Sequence, residues 1–318
     1  MRKLETETLA KITVAFSGLA WGLFWLPIRA LEQAGMSAFW SLMVFYLVPG
    51  VIVLPLFGYR WGRMVAGGRG LALIGFVTAL PLVLYSVAVL NTDVIRAMML
   101  FYLTPVWSTL LERVVFKQPI GWARWLAIAI AFVGMMVIFR ADTGWPAPEN
   151  IGDWAALAAG FGWSVSSVLL RLDRRHLAID MFTQNFLWSA LLMILAGLVL
   201  RATDAPAPGL VVGQLWWLAP TIVLVVMSGV YASMWGAPKL SPGLVGLLCM
   251  TEISAGAITA AIWAGEPFGG REILGIALIS LAGVFDSLLG LFGLPANQPG
   301  DDKVAGQFAG HDEGDKNG

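Results

Sequence analysis

Apolar positions run along this chain in long unbroken stretches, with neither the three-to-four spacing of a half-wet helix nor the alternation of a half-wet strand. Ten such runs lie near residues 12–31, 38–58, 71–90, 94–115, 122–140, 153–171, 181–200, 214–236, 243–264 and 273–293. Each is about 20 residues long, the length a helix needs to cross the hydrocarbon of a bilayer with its backbone hydrogen bonds satisfied internally. The pattern therefore predicts ten transmembrane helices. Gly, Pro and charge punctuate the runs, at Gly67-Gly68-Arg69-Gly70, Lys117-Gln118-Pro119, Trp145-Pro146-Ala147-Pro148 and Ala205-Pro206-Ala207-Pro208, which read as loops. The shortest break, Asn91-Thr92-Asp93, makes the third and fourth spans a tight hairpin.

The first run is expected to remain in the mature protein, because no small-residue cleavage site follows it and Arg29 and Glu32 do. Residues 1–11 read as a polar amino-terminal segment and 141–152 as a loop between two halves. Residues 294–318, poor in apolar side chains, read as a disordered tail.

Composition sharpens the picture. Of 318 residues 58% are hydrophobic and 13% charged, about half the charge of an ordinary soluble domain, which argues against a soluble enzyme. The 20 basic and 20 acidic residues cancel and form no basic block, so nucleic acid is not an expected partner. One cysteine, Cys249, precludes an internal disulfide, and the two histidines, His176 and His311, lie outside the runs, so neither a metal site nor a cofactor is expected. With the amino-terminus inside, thirteen Lys and Arg fall on inner segments (Arg2, Lys3, Lys11, Arg60, Arg63, Arg69, Arg113, Lys117, Arg124, Arg171, Arg174, Arg175, Lys239) against five outside (Arg29, Arg96, Arg140, Arg201, Arg271). That bias puts both termini in the cytoplasm.

The second half repeats the punctuation of the first. "GLAWGLFWLPIR" (18–29) lies over "GFGWSVSSVLLR" (160–171), pairing Gly18 with Gly160, Trp21 with Trp163 and Arg29 with Arg171. Further on, Thr104 pairs with Thr251, Pro105 with Glu252 and Pro119 with Pro267 after one residue of slippage. Five spans per copy is an odd number, so the second copy must sit upside down, the inverted arrangement used for alternating access around a midplane site.

The stretches "AWGLFWLPIR", "FYLTPVWSTLLERVVFKQPIGWARWLAIAIAFVGMMVI" and "GEPFGGREILGIALISLAGV" resemble the drug/metabolite transporter superfamily, specifically its EamA-type ten-helix members, over about residues 10–293. The resemblance implies two inverted five-helix repeats (12–140 and 153–293), both termini inside a plasma (inner) membrane, and movement of a small metabolite, often export of amino acids or related compounds. Glu266-Pro267 matches the family pattern well, and Gln118-Pro119 is a weaker form of it. Asp93 and Arg96 stand where the family has small residues, and Glu252 where it has proline.

Several intramembrane residues carry candidate chemistry. Glu252 lies about ten residues into the ninth span, where a charge costs roughly 2.5–3.5 kcal/mol on insertion scales. It reads as a proton-exchanging or cation-binding carboxylate, or as a hydrogen-bonded packing contact. Pro105, in the middle of the fourth span, predicts a kink that frees the Phe101 carbonyl. Thr104 and Thr251 can face substrate or bond back to their own helices. Arg96 reads either as a partner of Asp93 along one helical face or as a forked donor for a substrate carboxylate, and with Glu252 it would suit a zwitterion. Trp21, Trp163, Tyr102, Tyr231 and Trp235 are deep enough to line a cavity or to be core. Their ring faces together with Glu252 would hold an alkylammonium. Trp40, Trp61, Trp122, Trp145, Trp154 and Trp216 fall near span ends, where interfacial belts collect tryptophan. Gly18 with Gly22, and Gly229 with Ser233, read as close-packing pairs.

The expected function is thus secondary transport of a small amphiphilic or zwitterionic metabolite, with the bilayer and protons as further partners and a monomer or homodimer as the assembly. The chain has no G-x-x-x-x-G-K-[ST] motif to bind ATP, and no HExxH motif or intramembrane acid pair to support an embedded enzyme. Translocation of a lipid or lipid-linked sugar, uptake of a quaternary amine, or sensing without transport are the alternatives.

Overall fold

The computed structural model describes residues 2–139, 147–199, 203–263, 265 and 268–291. The expected tail at 294–318, the first half (141–146) of the loop expected at 141–152, Glu266-Pro267, Arg140, Arg201 and His311 lie outside the described residues.

Among the described residues every regular element is a helix. Nine helical runs are long and apolar enough to cross a membrane: Glu5–Gln33, Ala38–Tyr59, Trp61–Asn91, Val94–Phe116, Trp122–Phe139, Ile151–Leu172, Ala178–Val199, Pro208–Lys239 and Pro242–Trp263. A further helix, Gly270–Leu291, follows in the tenth place. Two boundaries differ from the sequence pattern. Helix begins already at Arg2, within the polar segment expected at 1–11. Gly67 to Gly70 is a kink inside a helical run, not a loop: Gly68 takes φ 52 and ψ −140, a conformation open to glycine, and helix resumes on both sides.

Prolines mark further irregularities. Pro220 withholds a backbone donor, and directly after it the chain widens into a π-helical segment, Ile222–Met227, before resuming α-helix at Ser228–Gly236. Three runs are interrupted near their middles. The first breaks between Trp21 and Trp25, the fourth between Phe101 and Thr104, and the ninth between Cys249 and Thr251.

The packing order is regular. The first run packs on the eighth and ninth, and the sixth packs on the third and fourth. The second touches the eighth as the seventh touches the third, while second and seventh, fourth and ninth, and fifth and tenth pair with one another. If runs one to five are matched in order with six to ten, each of these contacts has its mate.

The breaks of the fourth and ninth runs are built alike. Thr104 Oγ1 donates to the Phe101 carbonyl at 2.6 Å and reaches the Gly160 carbonyl of the sixth run at 3.3 Å. Thr251 Oγ1 donates to the Leu248 carbonyl at 2.8 Å and the Ala15 carbonyl of the first run at 2.9 Å. Glycine makes both approaches possible. A Cβ at Gly160 would stand 2.4 Å from the Phe101 oxygen, and one at Gly18 would stand 2.2 Å from Thr251 Oγ1. In hydrocarbon, backbone groups released by a break must find protein partners, and the threonines and close-packed glycine faces provide them.

Candidate functional site

The breaks of the first and ninth runs meet across a narrow cavity of about 40 Å³, lined by Ser17, Gly18, Trp21, Phe24, Tyr46, Leu82, Tyr85, Phe101, Trp163, Cys249 and Glu252. These residues come from runs one, two, three, four, six and nine. Aromatic rings form a continuous wall: Trp21 to Phe24 at 6.1 Å, Phe24 to Tyr85 at 6.2 Å, Tyr85 to Phe101 at 4.8 Å and Phe101 to Tyr102 at 5.2 Å between centroids. Their negative ring faces suit a cation.

Glu252 is the one charged side chain of this lining. It stands in the first turn of Thr251–Trp263, where unpaired N–H groups and the helix dipole favour an acid. The interrupted ninth run thus presents a helix amino-terminus at mid-span, which explains how a carboxylate is accommodated there. Tyr102 faces Glu252, although its hydroxyl is not at hydrogen-bond geometry to any partner. Tyr46, Tyr85 and Cys249 also lie within electrostatic range of the carboxylate. No ion pair to Glu252 occurs among the described residues.

Arg96 belongs to a different place. With Leu90, Asn91, Thr92, Asp93, Glu149 and Asn150 it lines an open polar depression at the hairpin between the third and fourth runs. Its Nη2 meets Asp153 Oδ2 at 2.7 Å and the Ala147 carbonyl at 2.9 Å. The fully buried Asp153 also accepts from Thr92 Oγ1 at 2.7 Å and from the Glu149 N–H at 3.0 Å. The ion-pair partner of Arg96 is therefore Asp153, 57 residues away, with Glu149 at 3.4 Å, in place of the Asp93 suggested by helical spacing.

Of the residues singled out from sequence, the cavity brings together Trp21, Trp163 and Glu252, with Tyr102 beside the carboxylate. Thr104 and Thr251 are tied to main-chain carbonyls at the breaks. Pro105 packs at the crossing of the fourth and ninth runs, where a Cβ on Gly246 would lie 3.0 Å from its Cα, and the Phe101 carbonyl it frees is taken by Thr104. Tyr231 is 41% exposed and stacks edge-on against Phe182. Trp235 lies under the Lys239 ammonium, 3.8 Å from its ring centroid. Tyr46 and Tyr85 went unnoticed in the sequence. The available signal was that only five tyrosines occur and that these two sit in the middle of otherwise apolar runs.

The architecture is that of a multi-pass helical membrane protein with a carboxylate held in an aromatic centre. Residues 8–140 match the EamA-like transporter family. It is 24% identical over 183 residues to a Salmonella typhimurium protein named "Probable amino-acid metabolite efflux pump", a match spanning 55% of this chain and 61% of that protein. It is 24% identical over 267 residues to the chloramphenicol-sensitive protein RarD of Pseudomonas aeruginosa, spanning 80% of this chain and 84% of that one. A crystal structure superposes with a TM-score of 0.72 at 16% identity, over 90% of this chain and 99% of the other, a likeness of fold alone.

Proposed function

We propose that the protein is a secondary carrier that exports a small metabolite bearing a protonated amine, by alternating access around Glu252. The observation that carries this reading is an acidic side chain without an ionic partner, set at a helix amino-terminus in an aromatic cavity where six runs converge. An ionised carboxylate enclosed at the midplane is costly unless a counter-charge accompanies it. Either a proton or a substrate ammonium supplies one. If only the two neutralised forms pass the occluded state, each outward amine is exchanged for an inward proton, and no cofactor is needed. The cavity is smaller than an amine with an apolar body, so loading requires the two bundles to separate.

The mated contacts of runs one to five and six to ten support an inverted duplication, which supplies two bundles to rock against each other. The bias of thirteen basic residues to five supports both termini facing the cytoplasm of a plasma (inner) membrane. Because Arg96 is committed to Asp153, it is not offered as a clamp for a substrate carboxylate. The name of the Salmonella relative agrees with an amine-bearing cargo.

The test is counterflow in proteoliposomes with labelled primary amines, amino acids and quaternary amines, with and without a pH gradient. Saturable counterflow of an amine, and net amine efflux driven by an inward proton gradient, both lost in Glu252→Gln, are expected. Undiminished counterflow in Glu252→Gln would contradict the proposal.

A further inference from the structure

The hydrogen-bonding groups of the cavity wall are mostly engaged. Tyr46 Oη donates to the Leu82 carbonyl at 3.1 Å and lies 3.0 Å from the Ser86 hydroxyl. The Tyr102 hydroxyl, beside the cavity, makes no hydrogen bond either but is turned to the Glu252 carboxylate, and the Trp163 indole N–H faces the Cys249 thiol. Tyr85 differs. Its ring lines the cavity between Phe24 and Phe101, yet its buried hydroxyl meets no hydrogen-bond partner. A buried donor left unpaired costs about 1–3 kcal/mol, and at this depth no bulk water relieves it. Phenylalanine would fill the same wall without that cost, so the hydroxyl is explained by something that enters the cavity.

We infer that Tyr85 is a specificity-determining residue whose hydroxyl donates a hydrogen bond to a neutral acceptor on the transported amine. The reading rests on the amine-carrier function proposed above and narrows its substrate class. The ammonium pairs with Glu252, the apolar body lies among Trp21, Phe24, Phe101 and Trp163, and a carbonyl oxygen near the amine reaches Tyr85. The acceptor is neutral because the cavity lining holds no basic side chain, and an anionic oxygen beside Glu252 would be buried without a counter-charge. Amino amides and amino esters fit this description. Simple amines lack the acceptor, and free amino acids carry an anionic one.

The experiment compares three probes in counterflow with the full chain: phenylalanine amide, phenethylamine and phenylalanine. Wild type is expected to favour the amide over phenethylamine by about five- to tenfold, the range of one net hydrogen bond, with phenylalanine weaker than the amide. In Tyr85→Phe the ratio of amide to phenethylamine should fall to near one, through loss of amide affinity alone. Tyr59→Phe, at the exposed end of the second run and outside the cavity lining, should keep the wild-type ratio. Equal binding of amide and phenethylamine by wild type, or an unchanged ratio in Tyr85→Phe, overturns the inference and leaves the carrier reading standing. Binding of none of the three overturns both. Thermal melting of the variants in detergent checks that each is folded.

Discussion

Two acidic residues of this protein, Asp153 and Glu252, are treated in opposite ways. Asp153, at the start of the sixth run, is surrounded by Arg96, Thr92 and the Glu149 N–H, and Asn150 caps its own N–H at 2.9 Å. Glu252, at the centre, has a helix amino-terminus and a tyrosine beside it, but no basic residue. A charge whose partners are all supplied by the chain ties elements together: this one fastens the hairpin of runs three and four to the sixth. A charge left without its counter-ion contributes little to holding the fold and is available to a cation that comes and goes. The contrast separates structural from functional acids more sharply than burial alone does.

Variants of the two acids should therefore diverge. Glu252→Gln is expected to lower amine affinity by about a hundredfold, within the 2–5 kcal/mol typical of removing one member of a desolvated charge pair. Its melting temperature should stay level or rise, because an unpaired buried charge has been removed. Equilibrium binding and melting on the same preparation give both numbers. Gly18→Ala and Gly160→Ala probe the scaffold shared by the two breaks. Each added methyl meets an oxygen at 2.2–2.4 Å, so each should destabilise by about 1–3 kcal/mol. Comparable losses in the two variants, read from chemical or thermal unfolding, would support equivalent construction of the two halves, and a loss in one alone would break it. Arg96→Leu should cost about 2 kcal/mol, less than for a fully enclosed pair because Arg96 is 27% exposed and Thr92 still serves Asp153. Amine affinity should be unchanged, the reverse of the Glu252→Gln outcome. Smallest is Thr251→Val, which removes the bonds to Ala15 and Leu248 and should cost about 1 kcal/mol.

Hydrophobic run length alone located the spans: the expected 94–115 and 243–264 correspond to helical runs Val94–Phe116 and Pro242–Trp263. That agreement has a simple cause, since a bilayer imposes one length and one polarity on every crossing helix. Local exceptions were less visible. Gly67 to Gly70 has the composition of a loop, and only the positive φ of Gly68 distinguishes a kink from a turn. The central carboxylate could be picked out because an acid in an apolar run is conspicuous. Its surroundings could not. Tyr85 and Phe101 reach Glu252 through packing between runs far apart in sequence, and the pairing of Arg96 with Asp153 likewise spans a loop that periodicity does not bridge. Thr104 and Thr251 were recognised as a pair, but whether their hydroxyls face a ligand or a carbonyl depends on how closely Gly160 and Gly18 allow the neighbouring runs to approach.

The most direct test is the pH dependence of amine binding at equilibrium, measured on purified protein with wild type and Glu252→Gln side by side. If one carboxylate alternates between a proton and an ammonium, the two compete, and wild-type affinity should weaken as pH falls, approaching tenfold per pH unit at the acid end. The slope should vanish in Glu252→Gln. Wild-type affinity independent of pH, or the same slope in both proteins, would contradict the assignment of Glu252 as the shared site.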